Sequence, residues 1–289
     1  MPNDQVWRAG ADENTTITFS HAVKVGGKAI AAGTYGLHMI PSGNKVTIIF
    51  VSNSTSWGSY AYDEKEDVLR VDVTSTDANM QEWLKYEFSD QTATSAVASL
   101  IWEKKSIPFK IEVDVHNIVI ANIKNELRDV QGFFWQAPNQ GALYCLNNDV
   151  ALEQGLQWAD QAIQTNKNFN TLSTKAGLLT KMGKADDSKV IMDEAIELAS
   201  ATPGDLYGHG RRLIGLGDKT GALEVFKLNT KKNKGHWLAI HGLARGYSAN
   251  GDFAKALNYE KQALGKCPEG SKQFLQGYVK KLEKGEYFN

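Results

Sequence analysis

Apolar and polar residues alternate in short runs between Thr15 and about His116. The runs are Thr-Ile17-Thr-Phe19, Val46-Thr-Ile48-Ile-Phe50-Val, Val68-Leu-Arg-Val71-Asp-Val73, Trp83-Leu-Lys-Tyr86-Glu-Phe88, Val97-Ala-Ser-Leu100-Ile-Trp102 and Phe109-Lys-Ile111-Glu-Val113-Asp-Val115. A period of two gives a strand one apolar and one polar face. Gly26 and Gly27, set between Val25 and Lys28, predict a two-residue hairpin loop at positive φ. About eight such strands, each with one face to bury, call for a β-sandwich or open barrel over residues 1–116. The period then changes. Ile120, Ile123, Leu127 and Val130 stand at helical spacing, with no Pro-rich or Gly/Ser-rich stretch, so residues 117–131 are expected to form a packed linker helix that joins two domains into one body.

In the second half the apolar pattern repeats as a unit. Gly183, Gly217 and Gly251 are 34 residues apart, and their flanks fall into register: Leu172, Leu206 and Ile240, then Ala176, Gly210 and Ala244. After each glycine come Ser188, Ala222 and Ala256, and one turn later Met192, Phe226 and Glu260, where the pattern weakens. The last copy runs from Trp237 through Ala244, Tyr247, Gly251 and Ala256 to Ala263 and Pro268, and it resembles a tetratricopeptide repeat (TPR). In such a repeat small residues let two antiparallel helices approach closely. A further unit is expected upstream around Asp149, without the glycine, and a closing helix capped by Ser271 carries Phe274, Leu275, Tyr278, Val279 and Leu282. The expected fold is α+β: an antiparallel β-sandwich followed by a helical solenoid of TPR-like repeats over residues 132–289.

Composition changes this picture little. The net charge of -1 gives no global pull toward nucleic acid or an anionic membrane, and no nucleic-acid partner is expected. The first 116 residues hold 15 acidic and 10 basic side chains, the remainder 18 and 22. Cys145 and Cys267, four units apart in the array, are expected to be buried thiols without a disulfide. No apolar run is long enough to be a transmembrane segment. The six histidines lack metal-ligand spacing, and there is no phosphate loop, no Cys-x-x-Cys and no nucleophile elbow, so neither metal nor cofactor is expected.

A second resemblance is carried by Trp7-Arg8-Ala-Gly10-Ala-Asp12-Glu13-Asn14-Thr15, by Gly33-Thr34-Tyr35-Gly36-Leu37-His38-Met39 and by Asn53-Ser-Thr55-Ser-Trp57-Gly58, continuing through Asn125-Glu126-Leu127-Arg128. The first 116 residues resemble the domain-of-unknown-function family 2911, a group of exported bacterial proteins. That resemblance implies a periplasmic or cell-surface location, with an export signal and an early strand missing from this chain. It implies no activity.

Arg8, Asp12, Glu13, His38, Trp57 and Tyr60 are the candidate ligand-binding residues of the β domain: aromatic rings for stacking and forked hydrogen bonds for a sugar or similar polar ligand. The structural reading is the stronger: Arg8 paired with Asp12 or Glu13 braces the entry to the sheet, and an inward-facing His38 is a hydrogen-bonded core residue. On the helical half Arg211, Arg212, His241 and Arg245, with Lys175 and Lys181, fall on first helices and are expected to face outward into a groove. That bias suits an acidic protein or peptide partner. The favoured reading is a non-enzymatic exported scaffold; the alternatives are a ligand-binding module on the β domain and a hydrolase with an unrecognised site.

Overall fold

The computed structural model describes residues 3–287. The chain divides into two compact units, residues 1–122 and 123–289.

The first unit contains β1 (Thr16–Phe19), β2 (Val23–Val25), β3 (Lys28–Ile30), β4 (Gly33–Ser42), β5 (Lys45–Val51), β6 (Asp67–Thr74), β7 (Thr76–Ser89) and β8 (Ser95–Val113). They form two four-stranded antiparallel sheets, ordered β1-β4-β5-β6 and β3-β2-β8-β7. Phe19, Leu37, Ile48 and Phe50 of one sheet and Val25, Leu100, Ile107 and Phe109 of the other share one core, so the sheets pack face to face. Gly26 and Gly27 turn the β2-β3 hairpin at φ 54° and 80°, as their sequence predicts. Two expected strands, Val97–Trp102 and Phe109–Val115, are a single strand. β8 runs through the intervening charged segment by a kink at Glu103, where φ is +53°, and Val115 already begins the next helix. β7 is an edge strand with register shifts, and its Trp83 and Phe88 are exposed rather than half-buried.

The first helix, α1 (Val115–Glu126), ends before the expected stripe does; Val130 lies in a short 3-10 turn (Val130–Phe133) and is exposed. Antiparallel pairs then follow: α2 (Gln136–Asn148) with α3 (Leu152–Thr165), α4 (Phe169–Lys181) with α5 (Ala185–Glu197), α6 (Pro203–Gly215) with α7 (Lys219–Lys232), and α8 (Trp237–Ala249) with α9 (Phe253–Leu264). A last helix, α10 (Glu269–Glu283), packs on α9. It starts two residues before Ser271, at the cap Pro268, and buries Leu275, Val279 and Leu282 while Phe274 stays exposed.

Each first helix ends in the left-handed region. Gly183, Gly217 and Gly251 have φ of 77°, 87° and 83°; Asp149 takes φ 56° at the same point of the upstream unit, and Gly285 takes φ 73° after α10. Aspartate is one of the few side chains that tolerates this conformation, so the missing glycine does not end the register. Ala176, Gly210 and Ala244 are buried at the crossings, and no disulfide links the buried Cys145 and Cys267. Lys232, near the end of α7, donates to the carbonyls of Ile196 and Leu198. No helix among the described residues is long and apolar enough to cross a membrane.

Candidate functional site

In the β unit the loop before β1 zips against the loop after β5. Asn14 N–H donates to Ser56 O and Gly58 N–H to Asp12 O, both at 3.0 Å, and Glu13 pairs with Trp57 in an isolated bridge. This brings Arg8 beside Gly58 and Tyr60: a methyl at Gly58 would stand 3.3 Å from Arg8 Nη1 and 3.3 Å from the Tyr60 ring. Trp57 and Tyr60 are exposed. His38 is not part of that ledge. Its ring is buried in β4, with Nδ1 3.0 Å from Ser59 Oγ and Tyr62 packed 5.5 Å away. Burial lowers its pKa, against an opposing pull from Asp67, so His38 stays neutral at pH 7 and braces the loop. Beside it, Tyr62 donates to Asp67 while Arg70 donates to both, a closed network that fixes the start of β6.

In the helical unit the first helices α2 and α4 pack side by side, as do α6 and α8. A cavity of about 240 Å³ opens between α6, α8 and α10, walled by Tyr207, Trp237, Phe274 and Tyr278 and holding Arg211, His241 and Arg245. Two expectations are corrected here. Arg245 and His241, which the sequence predicts to face outward, have only 2% and 1% of their surfaces accessible. The reason is aromatic cover: the Arg245 guanidinium lies 5.9 Å from the Tyr207 ring centre and 5.6 Å from that of Tyr278, and Tyr278 also stacks on His241 at 5.6 Å.

Beneath them Glu260 of α9 is fully buried. His241 Nδ1–H donates to its carboxylate at 2.8 Å, because a carboxylate can only accept, and Nε2 of the same ring is 3.1 Å from the Tyr207 hydroxyl. Burial raises the Tyr207 pKa, so its hydroxyl keeps its proton and has one hydrogen to give. Glu260 escaped attention as a site residue, although its column mates Met192 and Phe226 announce an interior position; an acid there must find a buried partner.

A second cavity, about 410 Å³, lies between α2, α4 and α6, lined by Leu146, Phe169, Thr174, Gly208, His209 and Arg212 among others. Arg212 Nη2 donates to His209 Nδ1 at 3.1 Å. Burial, reinforced by the Arg212 charge and opposed by Asp193, lowers the His209 pKa to about 4, so the imidazole is a neutral acceptor. Lys175 and Lys181, by contrast, are tied to Asp160 and Asp149 at 2.7 and 3.2 Å. Of the basic candidates, Arg211 and Arg212 are the exposed ones that keep their charge available.

Residues 1–111 match the family described as "Protein of unknown function (DUF2911)". The match covers both β-sheets and stops short of the helical repeats. No curated protein matches the sequence. Among solved structures, the helical part is similar to YrrB, described as a TPR protein with an unusual peptide-binding site, at 16% identity and a TM-score of 0.36, over 56% of this chain and 86% of that one. It is also similar to the MamA protein (15% identity, TM-score 0.36, 54% of this chain and 83% of that one) and to MamA 41-end from Desulfovibrio magneticus RS-1 (16%, 0.34, 52% and 90%). Each is a likeness of helical-repeat fold over about half of this chain.

Proposed function

We propose that this protein is a scaffold whose helical unit binds a protein partner by an extended, acidic segment laid across the first helices. The supporting observation is the pair of cavities on either side of α6, each combining apolar walls with an arginine. Apolar walls supply the affinity of burial, and guanidinium groups at their edge select carboxylates. In the β unit His38 and Arg70 are committed to bracing the loop after β5 and the start of β6.

Selection of binders from a random peptide library, followed by hydrogen exchange on the complex, tests this. Protection on binding is expected in α4, α6, α8 and α10. Binders that protect the β unit or the outer faces of α5, α7 and α9 instead would refute the scaffold reading. The place of work we propose, on the resemblance of the β unit to exported proteins, is the periplasm or cell surface; recovery of the native protein in the cytosolic fraction would refute that.

A further inference from the structure

Arg211 and Arg212 are neighbours in sequence and serve different cavities. Successive residues of an α-helix diverge by about 100°, and here the divergence sends Arg211 into the aromatic cavity toward α8 and α10, and Arg212 into the cavity toward α4. Both are exposed, and no carboxylate among the described residues comes within the 4.0 Å of an ion pair with either. Each is nevertheless aimed. The Arg211 guanidinium rests 5.9 Å from the Tyr207 ring centre, and Arg212 is held by the His209 nitrogen. Asp205 also lines the Arg212 cavity, but its Oδ2 is taken by the N–H and hydroxyl of Thr202 in the cap of α6.

The helix between them is bare. Gly204 and Gly208 are exposed on α6, and a Cβ at Gly208 would meet nothing within 4 Å. Glycine there weakens the helix with no return in internal packing. It leaves room for another backbone to lie close.

We propose that α6 is a two-point anion clamp, taking two acidic side chains of one extended partner segment, one against Arg211 and one against Arg212. This rests on the scaffold reading and adds a spacing to it. The two flanks of a packed helix are about one interaxial distance apart, roughly 8–10 Å. A segment in the polyproline-II conformation rises about 3.1 Å per residue and turns once every three residues, so acids three positions apart, as Glu-x-x-Glu, span that distance on one side of the chain. The aromatic and aliphatic walls favour an apolar residue between them.

Calorimetry at low ionic strength with the full chain and a capped peptide, acetyl-Ser-Leu-Glu-Ala-Leu-Glu-Ala-Ser-amide, tests the clamp. The peptide should bind roughly tenfold more tightly than either version with one Glu replaced by Gln. Arg211→Gln should abolish the contribution of one Glu and Arg212→Gln that of the other, and a peptide with adjacent glutamates should lose the advantage. If the all-Gln peptide binds equally well, the clamp is wrong while the scaffold stands. Acid-dependent binding that ignores both arginine substitutions, or no binding by any member of the panel, also overturns the clamp and leaves the scaffold to the library selection. An all-Gln peptide with a free C-terminal carboxylate that binds as tightly as the two-Glu peptide would show that the site takes a chain end instead.

Discussion

Gly208 and Gly210 lie two residues apart on α6, and substituting each by alanine should move stability in opposite directions. A Cβ at Gly210 would stand 2.4, 2.5 and 2.9 Å from Phe226 Cε1, Cζ and Cδ1, where carbon atoms ordinarily rest at about 3.5–4.0 Å. The ring cannot retreat. It is fully buried, and Gly242 and Gly246 of α8 also press on it, so closely that Cβ atoms there would fall 2.7 Å from Cδ1 and 2.8 Å from Cδ2. Inserting one methyl into such a place costs about 2–3 kcal/mol, the upper part of the range for overpacking. Both substitutions gain about 1 kcal/mol in helix propensity. Gly210→Ala should therefore destabilise by about 1–2 kcal/mol and Gly208→Ala stabilise by about 1 kcal/mol, a separation of about 2–3 kcal/mol from the packing difference alone. Urea unfolding followed by far-ultraviolet circular dichroism measures it. Placed on a Phe226→Leu background, the Gly210 penalty should shrink, since the two sites share one contact. Equal shifts for the two alanine variants, or a penalty at Gly210 unchanged by Phe226→Leu, would refute the packing described here.

Three further outcomes are expected. His209, with its pKa lowered to about 4 against an ordinary 6.5, takes up a proton in the unfolded chain before it does so in the fold, so it contributes no penalty above pH 6.5 and a growing one as pH falls from 6.5 toward 4. The loss reaches at most about 3 kcal/mol and should largely vanish from the stability-against-pH curve of His209→Phe. Glu260→Gln removes the buried carboxylate from its His241 partner and should cost about 3 kcal/mol in urea unfolding, whereas surface Glu224→Gln, in an exposed pair with Lys227, should change it by under about 1 kcal/mol. Gly217→Ala, at φ 87°, should cost about 1–2 kcal/mol, while Asp149→Gly, at φ 56°, should be neutral or stabilising by thermal melting.

The repeat was legible because its signal is steric. A left-handed residue every 34 positions and a small residue at each crossing have few substitutes, and even Asp149 betrays itself by position. The strands were legible as alternation but not in their lengths, since Glu103-Lys104-Lys105 interrupts the apolar face of β8 and shifts its register against β7 without ending the strand. The site was harder to read. Arg211 and Arg245 occupy the same place in adjacent repeats, 34 residues apart, yet one is exposed and the other buried. What separates them is Tyr278, supplied by a helix outside the repeat pattern. A charged residue on a first helix looks solvated until the neighbour that covers it is known. His38 failed in the reverse sense: its apolar strand neighbours Leu37 and Met39 hinted at the interior, and the loop motif around it drew attention to chemistry that Ser59 and Tyr62 use only for bracing.

The polar interior of the α8-α9 pair has a consequence for the order in which the protein acquires its structure. Arg245 and His241 are roofed by Tyr278, and α10 leaves the ribosome after both helices have emerged. Until then the last repeat presents a guanidinium and a histidine-glutamate pair to water, where they gain less from one another than they do once covered. The α6-α7 pair has no such dependence on α10: Phe226 is enclosed by Gly210 of α6 and by Gly242 and Gly246 of α8. Assembly should thus advance unit by unit as far as α7 and then pause, and a ribosome stalled before residue 269 would hold a chain whose final repeat is still open to solvent and to chaperones.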